Sequence, residues 1–533
     1  MTILDARLAA LSEAGRTRAA SGRNLAAIAL EKAAADPGRI VVVDGARSIS
    51  RGEMVELALR LGGAMLSRGI VPGAAVAFQL PNWWEACIVN MTAALFGYRL
   101  VPLLTIYRAA ELGIILPASS VEALFIPQNF RGFDYTELVG RLAQPPRHVF
   151  TVRAGRPSEN SFERLVEAAR AEPSPAAADD VKMILFTSGS TGRPKGVMHS
   201  HAAVDELIRR TGEFWRTGGG DRLFIPSPIG HIGGSIYAFE FPWITDCTAV
   251  LAESWNADKA VRAIDAQGAT FMAGATPFLS GLIAAAERAG TRLSSLRRYI
   301  CGGASVPPEL VRRGLDRFEN AVVSRAYGST EVPLVCPGVR DRDEALPRAD
   351  TDGECTCEMK LLDDEGRPAT EGTAGEIVVR GPQMLLGYLD PADDADAFTP
   401  DGYFRMGDLG RLVDGRFIEI TGRKKDIIIR KGENISPLEI ENALARHPAV
   451  RQSAVIGVPD RERGEMVVAF VLPAEGRGFS FADMTAHLDG IGMARQKFPE
   501  RLEIVDSLPV NSVGKVQKNE LKTIALASPG GAQ

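Results

Sequence analysis

A strand-like segment that runs into a loop of hydroxyl and glycine residues most constrains how this chain can fold. Residues 183–186, Met-Ile-Leu-Phe, predict a short buried strand. The residues that follow cannot continue a strand, but they offer hydroxyl donors and glycines that let the backbone approach an anion, and Lys195 adds a positive charge. We therefore predict a polyphosphate-binding loop made by Thr187, Ser188, Gly189, Ser190, Thr191, Gly192 and Lys195.

The spacing of this loop excludes the commonest other phosphate site. A Walker loop has Gly, four residues and then Gly-Lys-Ser/Thr, whereas Gly192 is followed here by Arg-Pro-Lys-Gly. A plain Ser/Gly turn with a solvated lysine is the alternative interpretation. Ten consecutive residues of suitable type and order, from Thr187 to Gly196, favour phosphate binding over that turn.

Helical and strand patterns alternate in two long regions of the chain. In the first region, helical periodicity at residues 25–35, 51–67, 84–96 and 109–116 alternates with β-rich runs at 40–43, 75–80, 100–103 and 123–126. A second alternation runs from residue 181 to about residue 340. Alternation of this kind predicts βαβ units and largely parallel sheets.

The pattern changes twice further along. Between residues 350 and 420, short strands separated by Gly, Asp and Pro turns predict an antiparallel β-subdomain. After Gly422, strands and helices in a new order suffice for a compact α+β domain of their own. The predicted fold class is α/β: a large N-terminal domain (residues 1–424) of two doubly wound α/β subdomains plus the antiparallel β-subdomain, followed by a small, mobile α+β C-terminal domain (residues 425–533).

Composition argues against several classes of protein. The net charge of −5 and the pI near 5.9 argue against a nucleic-acid surface. The apolar run at residues 86–104 is interrupted by Asn90, Arg99 and Pro102, so we expect no integral membrane segment. The six scattered cysteines suggest a reducing compartment, and hence the cytoplasm. The N-terminus predicts an amphipathic helix.

Further clusters carry chemistry that would complete a nucleotide site. The small residues Gly303, Ala304 and Ser305 follow a predicted strand and suit a flat base lying against the backbone. An aromatic face, two hydroxyls and a carboxylate then occur within five positions, at Tyr327, Gly328, Ser329, Thr330 and Glu331. Tyr327 can stack on adenine, Glu331 can ligate Mg²⁺, and Asp408 can accept both ribose hydroxyls. Each motif alone is more often structural, but their joint occurrence predicts nucleotide binding.

Seven motifs follow one another between residues 181 and 518: Thr-Ser-Gly-Ser-Thr-Gly-Arg-Pro-Lys-Gly196, Tyr-Gly-Ser-Thr-Glu331, Gly-Glu-Ile-Val-Val-Arg-Gly381, Tyr-Phe-Arg-Met-Gly-Asp408, Gly-Arg-Lys-Lys-Asp426, Lys-Gly-Glu-Asn-Ile435 and Pro-Val-Asn-Ser-Val-Gly-Lys515. In this order they resemble the core motifs of the adenylate-forming superfamily. That superfamily includes acyl-CoA synthetases, the adenylation domains of nonribosomal peptide synthetases, and firefly luciferase.

The resemblance implies a two-step reaction. A carboxylate attacks the α-phosphate of Mg·ATP to give an acyl-adenylate and pyrophosphate, and a thiol then displaces AMP to give a thioester. Lys515 matches the family's catalytic lysine for the first step, and Lys195 and Glu331 complete the implied catalytic set. The implied cofactors are ATP, magnesium held by Glu331, and coenzyme A.

Other positions are carried over from the same resemblance. Arg423 matches the ribose-contacting arginine, and Lys425 occupies the hinge, where many members have Asp. Rotation at this hinge would move Lys515 out of the site and bring a CoA tunnel to it. Lys431 and Gly432 match the loop that lines this tunnel in the family. Residues 509–515 fit a pattern that acyl-lysine regulation targets in some relatives, which predicts a lysine acyltransferase acting on Lys515. A homodimer is a further expectation.

The segment Ser227-Pro-Ile-Gly-His231-Ile-Gly-Gly234 matches the acyl-pocket motif of CoA ligases, and His231, Gly302 and Ala326 are the predicted pocket residues. His231 as a core histidine is the alternative. The segment contains no acidic residue, so a substrate ammonium would be buried without a partner, at several kcal/mol. Leu80-Pro-Asn-Trp-Trp-Glu85 and Phe130-Arg-Gly-Phe-Asp-Tyr135 resemble ligases of medium-chain and alicyclic acids such as cyclohexanecarboxylate.

Three functions are compatible with these residues. The first is an acid–CoA ligase for a medium-chain or alicyclic acid. The second is an adenylating enzyme that passes its acyl group to a separate carrier protein. The third is a regulatory nucleotide-binding protein on an inactive scaffold, which the joint presence of Lys195, Glu331, Asp408, Arg423 and Lys515 disfavours.

Overall fold

The computed structural model describes residues 7, 11, 23–188, 193–431, 433–510 and 515–527. The N-terminal helix predicted from the sequence lies outside this range except for Arg7 and Leu11, which are both helical. The described α-helices are Leu25–Ala35, Arg51–Ser67, Trp84–Phe96, Ala109–Ala118, Tyr135–Gly140, Phe162–Leu165, His201–Trp215, Ile232–Phe239, Phe241–Ile244, Ala257–Gln267, Thr276–Ala289, Pro308–Arg317, Arg342–Ala345, Pro437–Leu444, Phe481–Gly490 and Lys518–Ala527. Short 3-10 helices occur at Pro391–Asp394, Lys424–Asp426 and Arg495–Lys497.

The first large sheet has seven strands, which in spatial order are Val322–Arg325, Arg298–Cys301, Phe271–Gly274, Arg222–Ile225, Thr248–Leu251, Ile40–Asp44 and Arg47–Ser50. All neighbours are parallel except the last pair, which forms a hairpin. The carboxyl ends of parallel strands lie at one edge of a sheet. The loops after Cys301 and Arg325 therefore emerge side by side.

The second large sheet also has seven strands, in the order Gly387–Tyr388, Pro194–Ser200, Val181–Ser188, Arg99–Pro102, Ala75–Phe78, Val121–Pro127 and His148–Val152. The strand Pro194–Ser200 runs antiparallel to both of its neighbours, and the remaining pairs are parallel. A two-stranded hairpin, Asn129–Phe130 with Phe133–Asp134, lies outside it. Thr187 and Lys195, near the two ends of the predicted phosphate loop, are thus paired across neighbouring strands of this sheet.

The helix Trp84–Phe96 lies in the largest apolar core, which combines residues from both large sheets. Every residue of this helix after the first is buried, and it ends at Gly97, whose left-handed backbone lets the chain turn into the next strand. Gly62 lies in the neighbouring helix Arg51–Ser67, and a Cβ at this position would lie 1.9 Å from the Phe96 ring. Only glycine therefore lets the two helices pack so closely. Tight packing here fixes the two sheets relative to each other.

Two smaller sheets complete the chain. The antiparallel sheet comprises Glu358–Leu362, Gly375–Arg380, Phe404–Val413 and Phe417–Arg423. The C-terminal sheet comprises Glu433–Ile435, Ile428–Arg430, Gly464–Pro473 and Val450–Asp460, with Arg501–Ile504 beside Gly464–Pro473. Its residues form apolar clusters of their own with the helices of the same segment. The 3-10 turn Lys424–Asp426 is the covalent link between the two small sheets.

The predicted α/β fold class is confirmed, but the strands are not divided between the sheets as the sequence order suggests. The strand Ile40–Asp44 of the first alternation pairs with Thr248–Leu251 of the second. The strand Val181–Ser188 of the second alternation joins the first through Arg99–Pro102. Periodicity identifies a strand from local side-chain pattern, whereas its neighbours depend on long-range packing.

Candidate active site

The hairpin Val181–Ser188 with Pro194–Ser200 presents Lys195 directly opposite Thr187. The ammonium of Lys195 lies 3.1 Å from the Asp393 carboxylate and 5.3 Å from the centre of the Tyr388 ring. Residues 189–192, the tip of the predicted phosphate loop, lie outside the described part of the chain. Arg193 pairs with Asp390 at 2.8 Å and with Asp393 at 3.2 Å, so acidic residues partly neutralise both cations of the hairpin.

Tyr327, Asp408 and Arg423 form a hydrogen-bonded group at the edge of the first sheet. Asp408 and Arg423 are cross-strand partners in the antiparallel sheet. The Tyr327 hydroxyl donates to Asp408 at 2.8 Å, and the Arg423 Nε donates to the other carboxylate oxygen at 2.9 Å. Burial and the negative charge of Asp408 raise the pKa of Tyr327 far above its usual value, so the phenol stays protonated. Asp408 is thereby held as a fixed, buried anion.

Loss of the Asp408 charge is expected to weaken nucleotide binding. Asp408→Asn keeps the shape of the side chain but removes the anion that Arg423 contacts. We expect kcat/KM for ATP to fall about 10- to 100-fold, the size of a lost hydrogen bond to a charged group, with KM for the acid unchanged. Asp414→Asn is the matched control, because Asp414 pairs with Arg348 at the exposed turn after the same strand. Equal ATP parameters for the two variants would contradict the assignment.

The loop after Arg325 turns sharply and ends at Glu331. Tyr327 and Cys336 exchange two backbone hydrogen bonds of 2.9 Å. A Cβ at Gly328 would lie 2.5 Å from the Leu334 nitrogen, so a side chain does not fit there. The Ser329 hydroxyl accepts from the Val332 N–H at 3.2 Å. Glu331 accepts a 2.8 Å hydrogen bond from the Tyr388 hydroxyl and forms no ion pair with any residue that the structure describes.

His199 connects the hairpin to this loop. Its Nε2 lies 2.7 Å from the Thr330 carbonyl oxygen, and it is buried. Burial lowers the pKa of His199 to about 4. The ring is therefore neutral near pH 7 and, protonated at Nε2, donates to the carbonyl. The hairpin and the 327–331 loop are held together by this contact.

Lys515 interacts electrostatically with Asp408 and Arg423 of the antiparallel sheet and with the turn Lys424–Asp426. Burial, together with the charges of Arg423 and Lys425, lowers the pKa of Lys515 to about 8, and the charges of Asp408 and Asp426 oppose this shift. Lys515 in turn lowers the pKa of His231. Residues 511–514 are not described, but Val510 and Val516 pair across them. Lys515 therefore lies within the range of charge interaction with Asp408 and His231.

Two of the three predicted acyl-pocket residues, Gly302 and Ala326, lie side by side, and the third, His231, precedes a helix. His231 begins the helix Ile232–Phe239, and its Nδ1 accepts from the Gly233 N–H at 3.1 Å. Burial, with a contribution from Lys515, lowers the pKa of His231 to about 4, so the ring is neutral near pH 7. A Cβ at Gly302 would lie 2.8 Å from the Ala326 carbonyl oxygen, which places these two predicted residues side by side.

The predicted base-binding residues 303–305 form the loop after the strand Arg298–Cys301. Gly303 has a φ of +81°, a left-handed conformation that glycine accommodates without strain. The Ser305 carbonyl accepts from the Thr276 hydroxyl at 2.8 Å, which ties the loop to the start of the preceding helix, Thr276–Ala289. Gly303 and Ser305 are exposed at the sheet edge, beside the Tyr327 loop.

The predicted hinge residue Lys425 lies close to Arg423, and Lys431 is the one predicted CoA residue that the structure describes. Lys425 is exposed within the 3-10 turn Lys424–Asp426, whose Lys424 pairs with Glu376 at 2.9 Å. Lys431 has a φ of +50° and donates its backbone N–H to the Arg463 carbonyl, and its side chain is exposed. Gly432 lies outside the described residues. The contact described for Lys431 is thus to Arg463 and not to Tyr327, Asp408 or Arg423.

Three residues of the site were missed in the sequence: His199, Tyr388 and Asp393. Each acts through a contact to a residue more than fifty positions away, at Thr330, Glu331 or Lys195. The only local signal was the Gly-Tyr-Leu-Asp turn at residues 387–390 beside an acidic run. Short-range pattern cannot show such pairing.

The fold is that of a nucleotide-dependent ligase with a large N-terminal and a small C-terminal domain. A family model described as AMP-binding enzyme matches residues 30–389, and one described as AMP-binding enzyme C-terminal domain matches residues 439–515. The chain belongs to this adenylate-forming family and is an acyl-CoA synthetase, an enzyme that uses ATP, magnesium and CoA.

Similar proteins include several CoA ligases. The chain is 32% identical over 505 residues to the medium-chain fatty-acid–CoA ligase of Escherichia coli (strain K12), covering 92% of this chain and 88% of that protein. It is 33% identical over 511 residues to a CoA ligase of Rhodococcus jostii (strain RHA1) for a methyl-dioxo-octahydroindenyl propanoate, covering 93% and 97%. ATP-bound MatB from Rhodopseudomonas palustris has a TM-score of 0.83 at 27% identity, covering 94% and 99%.

The residues present fit a magnesium ion brought by ATP. In the described part of the chain there is no cluster of three or more His, Cys, Asp or Glu side chains that could hold a metal ion. Mg²⁺ at nucleotide sites is commonly bound by one or two carboxylates plus phosphates and water, and Glu331 offers a carboxylate without a cationic partner among the described residues. The ion supplies charge neutralisation on the phosphates. No described helix is long and apolar enough to cross a membrane.

Proposed function

We propose that this enzyme activates a medium-chain or alicyclic carboxylic acid and transfers it to CoA. In the adenylation step, Asp408 and Arg423 bind the ribose, Tyr327 and residues 303–305 hold the adenine, and Lys195 binds the phosphates. Lys515 stabilises the charge that develops between carboxylate and α-phosphate. The single observation that carries the proposal is the hydrogen-bonded group of Tyr327, Asp408 and Arg423, which come from three separate motifs.

The acyl preference follows from the charge of the pocket. His231 is neutral near pH 7, and residues 227–234 contain no acid. Supporting relatives are the E. coli medium-chain fatty-acid–CoA ligase and the R. jostii ligase of a ring-bearing propanoate. A fatty or alicyclic chain loses nothing by burial there, whereas an α-ammonium group would lose its hydration without gaining a partner.

Octanoate and 2-aminooctanoate are a matched pair for this proposal. We expect acid-dependent pyrophosphate release with octanoate to exceed that with 2-aminooctanoate by about 10²-fold or more, because an unpaired buried charge costs several kcal/mol. The pair belongs in a panel of C4–C12 and ring-bearing acids, assayed with and without CoA. Comparable rates for the pair would contradict the proposed pocket. Adenylate without CoA thioester would instead favour transfer to a carrier protein.

We also propose a cytoplasmic location, since all six cysteines are free thiols. The domain boundary after residue 424 and the hinge role of Lys425 are proposals supported by the link at Lys424–Asp426. A homodimer and acylation of Lys515 stay predictions. Lys515 is partly buried in this arrangement. Acylation would therefore require the C-terminal domain (residues 425–533), which we propose acts as a lid, to rotate first.

A further inference from the structure

Tyr388 contacts the two residues that would meet the metal-bound phosphates. Its hydroxyl donates to Glu331 at 2.8 Å, and its ring centre lies 5.3 Å from the Lys195 ammonium. The hydroxyl contacts only one oxygen of the Glu331 carboxylate, Oε1. A donor fixed on one oxygen of Glu331 leaves the other oxygen for a ligand.

Arg7 and Asp394 together form a clamp that holds the backbone of Tyr388. The Asp394 carboxylate accepts from the Tyr388 N–H at 2.9 Å, and the Arg7 Nε donates to the Tyr388 carbonyl at 3.0 Å. Arg7 also pairs with Asp394, and both side chains are largely buried. A Cβ at Gly387 would lie 2.8 Å from the Arg7 guanidinium, so the guanidinium packs directly on the chain beside Tyr388.

We propose that Tyr388 is a positioning residue for magnesium binding, and that Arg7 and Asp394 keep it in place. The phenol orients the Glu331 carboxylate toward the metal that ATP brings, while the ring supports Lys195. This inference rests on the proposed role of Glu331 in the adenylation step. Groups that orient a metal-ligating carboxylate typically change metal affinity about 10- to 100-fold when removed.

The test is Tyr388→Phe, which removes only the hydroxyl and leaves the ring beside Lys195. Mn²⁺ binding to the enzyme–ATP complex is followed by electron paramagnetic resonance, with no acid present. We expect the dissociation constant for Mn²⁺ to rise about 10-fold or more, and the half-saturating Mg²⁺ concentration in turnover to rise in parallel, with KM for the acid unchanged. Mn²⁺ affinity equal to that of the unmodified enzyme would overturn the proposal.

Tyr403→Phe is the matched control. The Tyr403 hydroxyl donates to Glu358 at 2.9 Å, and the Lys360 ammonium lies 4.1 Å from its ring centre, so the same three residue types meet away from the site. We expect unchanged Mn²⁺ affinity for this variant. If Tyr403→Phe reduced Mn²⁺ affinity as much as Tyr388→Phe does, the cause would be the removal of a buried hydroxyl and not the orientation of Glu331. That result would overturn the proposal.

A second variant tests the clamp. Arg7→Ala is expected to weaken Mn²⁺ binding in the same direction, and Arg23→Ala, in an exposed pair with Glu31, is expected to leave it unchanged. Unaltered binding in Arg7→Ala would overturn the role of the clamp. Failure of the proposed function is distinguishable, because it would appear as no acid-dependent pyrophosphate release in the unmodified enzyme while Mn²⁺ binding with ATP alone could still be measured.

Discussion

Lys515→Ala is expected to abolish adenylate formation while leaving thioester formation from a supplied acyl-adenylate largely intact. The side chain brings a positive charge to the point where the carboxylate oxygen and the α-phosphate oxygen, both negative, must approach each other. Removing one such group costs about 10² to 10³ in rate. The two half-reactions are measured separately, by pyrophosphate release from acid and ATP and by CoA thioester formation from synthetic octanoyl-adenylate.

Lys518→Ala is the control for this variant, because Lys518 lies three positions further on and pairs with Glu441 at 2.8 Å. It should retain both half-reactions. Equal loss of both half-reactions in Lys515→Ala would mean that the lysine stabilises the C-terminal domain and has no specific role in adenylate formation.

The lowered pKa of Lys515 predicts that kcat/KM for ATP depends on pH. With its pKa lowered to about 8 by burial and neighbouring cations, Lys515 is charged below that pH and loses its proton above it. The kcat/KM for ATP, which reports groups of the free enzyme, should therefore fall as pH rises through about 8. In Lys515→Arg the guanidinium stays charged, so the alkaline limb should disappear even though the overall rate is lower.

Lys425→Pro is expected to have the opposite effect to Lys515→Ala. Proline fixes its own φ and removes the backbone N–H, so the turn Lys424–Asp426 would no longer supply the rotation that brings a CoA channel to the adenylate. We expect thioester formation to fall about 10²-fold, the usual loss when a reacting group is misplaced by about an ångström or more. Adenylate formation, which we propose uses the arrangement described above, should change little.

Lys425→Ala is the control for the hinge variant, since it removes the same side chain without stiffening the backbone. It should retain both half-reactions within a few fold. Equal loss of both half-reactions in Lys425→Pro would show that the substitution disrupts the arrangement of the C-terminal domain described above. It would argue against a rotation of that domain between the two half-reactions.

Local pattern predicted much of the fold. The helices at residues 25–35, 51–67 and 84–96 begin and end where the sequence placed them, because capping residues and apolar periodicity act within a few positions. Residues 40–43 were correctly predicted as a strand, but the sheet that it joins depends on pairing with Thr248–Leu251 two hundred positions away. No short-range signal carries that information.

The candidate site shows the same limit. Residues that would touch the nucleotide lie in compact motifs, so Asp408 and Tyr327 could be named from the sequence, and the structure joins them by a 2.8 Å hydrogen bond. Their supports could not be named. His199 and Tyr388 act through tertiary contacts to Thr330 and Glu331, and a buried histidine or tyrosine in a sequence is usually a core residue.

A crystal structure of the enzyme with Mg·ATP tests the central claim most directly. We predict that the ribose hydroxyls contact Asp408, that the metal lies on Glu331, and that the Lys195 ammonium leaves Asp393, now 3.1 Å away, for a phosphate oxygen. A triphosphate bound elsewhere, with the Lys195 to Asp393 contact intact, would contradict the account.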